Sequence, residues 1–241
     1  MNKHTIAEKE KVTGMFDSIA GRYDFLNRFL SFRSDVRWRK KMIRMLIRNH
    51  PKNVLDVATG TADVAITCAR NGIQKIVGVD LSEKMLEKGR EKISALGMEK
   101  QIQLFNGDAE NIPQADESFD AVTVAFGVRN FENLEKGLAE MLRILRPGGA
   151  VWILEFSKPK NAIIRNLYFF YFRNILPIIG KSISGNRKAY RYLFDSSMHF
   201  PANEKFVDIL NQTGFCNSGY RRFTFGVACL YYGIKPLSRK S

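Results

Sequence analysis

Cysteine and histidine are scarce, with three cysteines (Cys68, Cys216 and Cys229) and three histidines in 241 residues. The cysteines are odd in number, widely spaced and form no CxxC pair, which excludes a disulfide framework and argues against zinc. No metal is expected. Long apolar runs are also missing: none approaches the roughly 18 residues that a spanning helix requires. The first twelve residues mix both charge signs without an apolar stretch, so no secretory signal is expected. A cytoplasmic protein follows, attached at most to the inner face of a membrane. Acidic residues are few, 24 Asp+Glu against 38 Lys+Arg, a formal net charge of +14.

That excess is uneven. Residues 1–50 carry 12 basic and 5 acidic residues, 160–200 carry 7 and 1, and 201–241 carry 6 and 2. Residues 51–159 reverse the balance with 13 basic and 16 acidic. A slightly acidic middle between basic flanks favours an anionic partner, either nucleic acid or the phosphates of a lipid surface.

The middle has a regular rhythm. Short apolar runs (54–57, 76–79, 102–105, 121–126 and 151–154) alternate with helical patterns over 62–71, 82–96 and 131–145. That alternation predicts a doubly wound α/β fold, a mostly parallel sheet covered by helices. Ser82, before Glu83 and Met85, reads as a helix N-cap. Pro147-Gly148-Gly149 reads as a helix stop. Upstream, 8–19 and 34–49 look helical and are joined by a segment around 23–32. Downstream comes an aromatic, basic stretch to about 200, then a helix (203–213) and two strands (215–220, 227–232). One domain is expected, with an N-terminal helical cap (1–50), a cofactor-binding core (51–155), a lid insertion (156–200) and a C-terminal part (201–241).

Leu55-Asp56-Val57-Ala58-Thr59-Gly60-Thr61-Ala62-Asp63 follows the first strand and opens a helix. Gly60 and its small neighbours let backbone N–H groups approach a ligand. Asp80 ends the second strand, at the spacing where a carboxylate binds both ribose hydroxyls. Asp108 ends the third, where an adenine amino group can be read. A dinucleotide site wants GxGxxG for its pyrophosphate. Here Asp56 and Asp63 flank a single Gly60, which repels pyrophosphate and suits a cation carrying an amino group and a sulfonium. S-adenosylmethionine fits better than NAD.

Two longer signatures lie outside this generic part. Tyr23-Asp24-Phe25-Leu26-Asn27, with Leu30-Ser31 and Trp38, forms one. Arg143-Ile144-Leu145-Arg146-Pro147-Gly148-Gly149, leading into Leu154-Glu155-Phe156-Ser157, forms the other. Phe126-Gly127-Val128-Arg129-Asn130 and Tyr190-Arg191-Tyr192-Leu193 add to them. Over nearly its whole length the chain resembles the C-methyltransferases of menaquinone and ubiquinone biosynthesis. The resemblance implies a seven-stranded Rossmann-like sheet of the class I methyltransferase type and methyl transfer from S-adenosylmethionine to a ring carbon of a polyprenylated quinol. It places Thr61, Asp80, Asp108 and Ala109 at the cofactor. Three positions depart from the family pattern: Ala125 replaces a cofactor-contacting Ser of some members, and Arg33 and Asp35 stand where Gly and His are frequent.

A quinol carbon becomes nucleophilic when its neighbouring hydroxyl loses a proton, and a phenol titrates near 10, with Tyr as the reference. Arg129 is the expected stabiliser of that phenolate, being a permanent cation. Asn130 would orient the ring oxygen or a water, and Tyr23 and Asp24 would close over the site, with Asp24 a proton acceptor. In the 163–179 stretch, apolar clusters broken by Arg165, Arg173, Asn174 and Pro177 suit a segment lying in a membrane interface. With Tyr190, Tyr192 and Phe194 it is expected to line a channel for a polyprenyl tail, its basic residues facing anionic lipid. An RNA methyltransferase is the competing reading of the charge, but no RNA-binding module is recognisable and no nucleic-acid partner is expected. A homodimer or an assembly with other quinone-biosynthesis enzymes remains open. So does a naphthalene against a benzene ring, with demethylmenaquinol preferred.

Overall fold

The computed structural model describes residues 3–175 and 187–237. Seven strands form one sheet in the order β3-β2-β1-β4-β5-β7-β6. They are β1 (Asn53–Val57), β2 (Lys75–Asp80), β3 (Ile102–Asn106), β4 (Phe119–Ala125), β5 (Leu145–Phe156), β6 (Cys216–Phe223) and β7 (Ala228–Ile234). Only β7 runs against the others, pairing antiparallel with both β5 and β6. The central strands have almost every residue buried because helices cover both faces.

Each face has its own core. On one, Trp38, Met42 and Leu46 of α3 (Ser34–Leu46) and Val64, Ala65 and Cys68 of α4 (Asp63–Arg70) pack on Val54, Ile76 and Ala121. On the other, Leu138 and Met141 of α6 (Leu134–Ile144) and Phe206 and Leu210 of α9 (Glu204–Thr213) pack on Leu55, Val122 and Ile153. The side chains thus alternate along each strand with the period of two expected of a pleated sheet. Helix α5 (Glu83–Ala95) begins as expected, with the Ser82 hydroxyl accepting from Met85 N at 3.2 Å.

Two local readings differ from the sequence expectation. Phe126 falls outside β4 because it takes a left-handed conformation (φ 62°), which turns the chain off the sheet edge. The helix before Pro147-Gly148-Gly149 ends at Ile144, as expected, and β5 starts directly, with a register irregularity opposite Phe119–Ala121 absorbing those residues. The joining segment 23–32 is mostly helical, as α2 (Tyr23–Leu30). With α1 (Lys3–Ile19), α2 lies across the carboxyl ends of the strands. The aromatic stretch contains α7 (Ala162–Phe170) and α8 (Arg187–His199). Pro177 and the apolar residues 176–179 lie outside the described residues.

Candidate functional site

In a sheet of this order the strand sequence reverses between β1 and β4, and the crevice opens at the carboxyl ends of those strands. A cleft of about 810 Å³ lies there, lined by Gly60, Val79, Asp80, Ser82, Gly107, Asp108 and Ala109 among others. Its floor is the loop after β1. Ala58 (φ 52°), Gly60 (φ 55°) and Ala62 (φ 64°) all take left-handed conformations there. Each such alanine costs roughly 1–2 kcal/mol, so the surrounding fold must hold the loop.

Asp56 does much of that holding. Thr59 and Thr123 donate their hydroxyls to its two oxygens at 2.6 and 2.7 Å. The side chain is buried beneath the loop and does not line the cleft. Burial raises its carboxyl to about 6 despite those two donors. Expected as a cofactor contact, Asp56 is placed as the brace of the loop.

Asp80 faces the cleft. It accepts from Gly60 N at 2.8 Å and from Ser82 N at 2.9 Å, so one carboxylate ties the β1 loop to the β2 loop. Burial raises its pKa, and those backbone N–H groups oppose the rise. Gly127 completes the wall: a Cβ there would lie 2.5 Å from the Ala58 Cβ, so only glycine permits this approach.

Helix α1 spans the mouth. Lys9 Nζ sits 2.8 Å from Asp108, 3.1 Å from Glu110 and 3.5 Å from Glu132. Burial works against this ammonium, but Asp108 and Glu110 outweigh it and raise its pKa. Farther along α1, Asp17 accepts the Ser82 hydroxyl at 2.5 Å.

Thr61 and Asp24 meet on the far side of the loop. The Thr61 hydroxyl donates to Asp24 at 2.6 Å, and Lys92 lies 2.8 Å from Asp24 and 2.6 Å from Asp63. Arg28 and Arg39 reach Asp63 as well, at 3.3 and 3.2 Å. Neither Thr61 nor Asp24 lines a cavity, so the structure places Asp24 in an ion network and not where it would accept a substrate proton.

A second cavity, of about 690 Å³, shares Phe16, Tyr23 and Phe126 with the first. Met15, Ile19, Phe156 and Leu193 make most of it apolar, and Asn27, Ser31, Asp35, Arg39, Arg129 and Tyr192 supply polar groups. Arg129 is almost fully buried and pairs with Glu155 at 2.7 Å while donating to the Phe126 carbonyl at 2.6 Å. Its guanidinium stands 5.6 Å from the Phe156 ring centroid, a cation–π distance. Its Nε–H is buried without an acceptor. Asn130 lines the first cleft and accepts from the Tyr192 hydroxyl at 3.1 Å. Tyr23 borders both cavities, and burial raises its phenol pKa. His199 is exposed and outside both linings.

Sequence reasoning gave no role to Phe16, Asn27, Ser31, Arg39 or Phe156: the first four are spread over α1, α2 with its C-cap, and α3, and Phe156 ends β5, so only the packing of those helices on the sheet edge joins them. Asn27, Ser31, Phe126 and Phe156 did stand within the signature stretches.

The chain is 44% identical to the ubiquinone/menaquinone biosynthesis C-methyltransferase UbiE of Geobacter sulfurreducens, over 97% of this chain and 92% of that protein. It is 43% identical to the demethylmenaquinone methyltransferase of Thermus thermophilus, over 92% of this chain and 100% of that one. Among solved structures, a SAM-dependent methyltransferase from Thermotoga maritima superposes with a TM-score of 0.65 at 17% identity, covering 93% of this chain and 99% of the other, a likeness of fold. With residues 4–235 matching its description, the chain belongs to the ubiE/COQ5 methyltransferase family and is an S-adenosylmethionine-dependent C-methyltransferase.

Proposed function

We propose that this enzyme methylates a ring carbon of a polyprenylated quinol, converting demethylmenaquinol to menaquinol, with the cofactor in the first cleft and the ring in the second. The observation that carries the reading is the common wall of the two spaces, Phe16, Tyr23 and Phe126. One space is rich in carboxylates, the other is aromatic with a guanidinium, and they meet where a group would pass between them.

The first cleft fits S-adenosylmethionine by its donor and acceptor set. Asp80 still has lone pairs for ribose hydroxyls, Asp108 lies where an adenine amino group would reach it, and Val79, Leu81 and Met85 offer apolar faces for the base. When bound, the cofactor supplies a methyl group on a cationic sulfur. The protein's own work is on the quinol. Arg129, which lines the second cavity, would stabilise the phenolate by its charge. Phe126 and Phe156, packed on each other with centroids 4.7 Å apart, form one aromatic wall of the cavity against which the ring would lie.

The lipid nature of the substrate is supported by the outside of the second cavity. Phe25, Phe29 and Phe32 are exposed, as are Ile163, Leu167 and Phe170 of α7. Phe32 and Tyr171 bring the two groups together at 6.1 Å between centroids, and Arg33 and Arg173 are exposed among them. Exposed aromatics with cations suit peripheral contact with an anionic bilayer, from which a prenyl tail can extend. No helix among the described residues is long and apolar enough to cross a membrane.

The reading is tested by incubating the enzyme with methyl-labelled S-adenosylmethionine and both reduced precursors, then extracting the lipid. Label in the menaquinol fraction is expected. Label confined to a ubiquinol-type product would overturn the choice of ring, and label in neither would overturn the quinol substrate.

A further inference from the structure

We infer that Asp35, acting through the hydroxyl of Ser31, is the proton acceptor for the quinol in the second cavity. The inference rests on the quinol reading above and adds the group that ionises the substrate.

The reaction requires an acceptor that the residues discussed so far do not provide. Arg129 stabilises negative charge but is a permanent cation and takes no proton. Asp24 is turned away into its network with Lys92 and Thr61. Glu155 pairs with Arg129 and does not line the cavity. Among the described lining residues, Asp35 is the one carboxylate, and none is a histidine.

Its surroundings form a short relay. Asp35 stands in the first turn of α3, 4% exposed, and its Oδ1 accepts the Ser31 hydroxyl at 2.6 Å. Ser31 caps the end of α2 and also lines the cavity. Its oxygen can therefore accept from a substrate hydroxyl while its own hydrogen passes to Asp35. The other carboxylate oxygen is held by Arg39, one turn along α3, which fixes the side chain toward Ser31. The remaining charged groups facing this pair are Arg28 of α2, Asp63 beyond Arg39, and Arg129 across the cavity, where Tyr23 and Tyr192 are the titratable phenols.

The proton count closes. The quinol O–H gives its hydrogen to Ser31 as Ser31 gives its own to Asp35, leaving the electron pair on the ring. That pair forms the bond from the ring carbon to the methyl carbon while the methyl–sulfur bond breaks and its pair stays on sulfur. A water molecule then takes the ring C–H hydrogen as the single net proton, and Asp35 returns the hydroxyl hydrogen through Ser31. Quinol and sulfonium give methylquinol, thioether and one proton.

The test compares Asp35→Asn, Asp35→Glu and Ser31→Ala with the wild-type enzyme, measuring kcat, quinol KM and cofactor affinity across pH. For Asp35→Asn we expect kcat to fall about 100-fold or more with KM and cofactor affinity within about 3-fold. Its rate should then climb with pH toward the quinol's own ionisation, because hydroxide replaces the lost acceptor, whereas the wild type reaches a plateau. Asp35→Glu should recover part of the rate and the plateau, a pattern that a purely structural role would not produce. Ser31→Ala, which leaves the Asp35–Arg39 pair in place, should lower kcat in the same direction. An unchanged kcat and pH profile in Asp35→Asn overturns the proposal. If Asp35→Asn does not fold, wild-type turnover in Ser31→Ala overturns it. A wild-type enzyme that methylates neither reduced precursor overturns the quinol reading, and this one with it.

Discussion

The two cavities meet at three residues yet are built in opposite ways. The first cleft, proposed above for the cofactor, is made by strand ends: Asp80 closes β2, Asp108 follows β3, and the β1 loop is braced by Asp56 from below. Its polar groups hang from a sheet that both cores clamp. The aromatic cavity is assembled from α1, α2, α3 and α8 around Phe126, Arg129 and Phe156, so its shape depends on how helices pack beyond the sheet edge. A binding site whose geometry is set by strand register tolerates little drift, while one made by packed helices can adapt to a bulky, greasy ring and tail.

If that division holds, damage to one space should leave the other intact. The largest effect is expected at Arg129. Arg129→Ala leaves the buried Glu155 without its partner and should cost about 3–5 kcal/mol of stability by denaturant unfolding. Arg129→Lys, which keeps the charge but loses the fork, should fold and show turnover lowered by orders of magnitude with cofactor affinity near normal. A matching loss of cofactor affinity would break the comparison.

Next comes Asp56. Its folded carboxyl, raised to about 6, binds a proton more tightly than the unfolded chain's, with its ordinary value of 3.8. The native state therefore holds more protons between those values, and stability falls as pH rises from about 4 to about 6, by up to roughly 3 kcal/mol. Asp56→Asn should flatten that slope in a series of thermal melts.

At Asp80, removing a carboxylate that bonds two backbone N–H groups and faces the ligand should weaken cofactor binding by about 2–3 kcal/mol in calorimetry. The aromatic cavity should still bind quinol, which sharpens the contrast with Arg129→Lys. The smallest effect on folding belongs to Phe32, 74% exposed. Phe32→Ser should change stability by less than about 0.5 kcal/mol yet reduce flotation with anionic vesicles. Unaltered flotation would remove this residue from the lipid contact.

What could be read in the sequence follows the same division. The parallel core was legible because buried strands and amphipathic helices differ in period, and the Gly60–Asp80–Asp108 series was legible because strand spacing sets it. Asp56 belonged to that series by position, but nothing in a linear string says that two threonines, one 67 residues away, cover its oxygens. Thr61 and Asp24 lie in the recognised stretches and face Lys92, whose position across the fold decides their direction. The α2 helix reads as a joining segment because its apolar stripe, which includes Phe25 and Phe29, is only eight residues long. In the folded chain those residues belong to a surface with a different use.

The tether of α1 across the cofactor cleft has a kinetic consequence. One ammonium among three carboxylates, with a serine hydroxyl held farther down the helix, makes a latch whose strength is mostly charge. Fresh donor and spent thioether would pass the mouth that this latch crosses, so its release is expected in each catalytic cycle. Ions in solution weaken such a fastening. Moderate salt should accordingly quicken the exchange of ligands even where it loosens their grip, and the step that sets the enzyme's pace can move from the doorway to the chemistry as ionic strength rises.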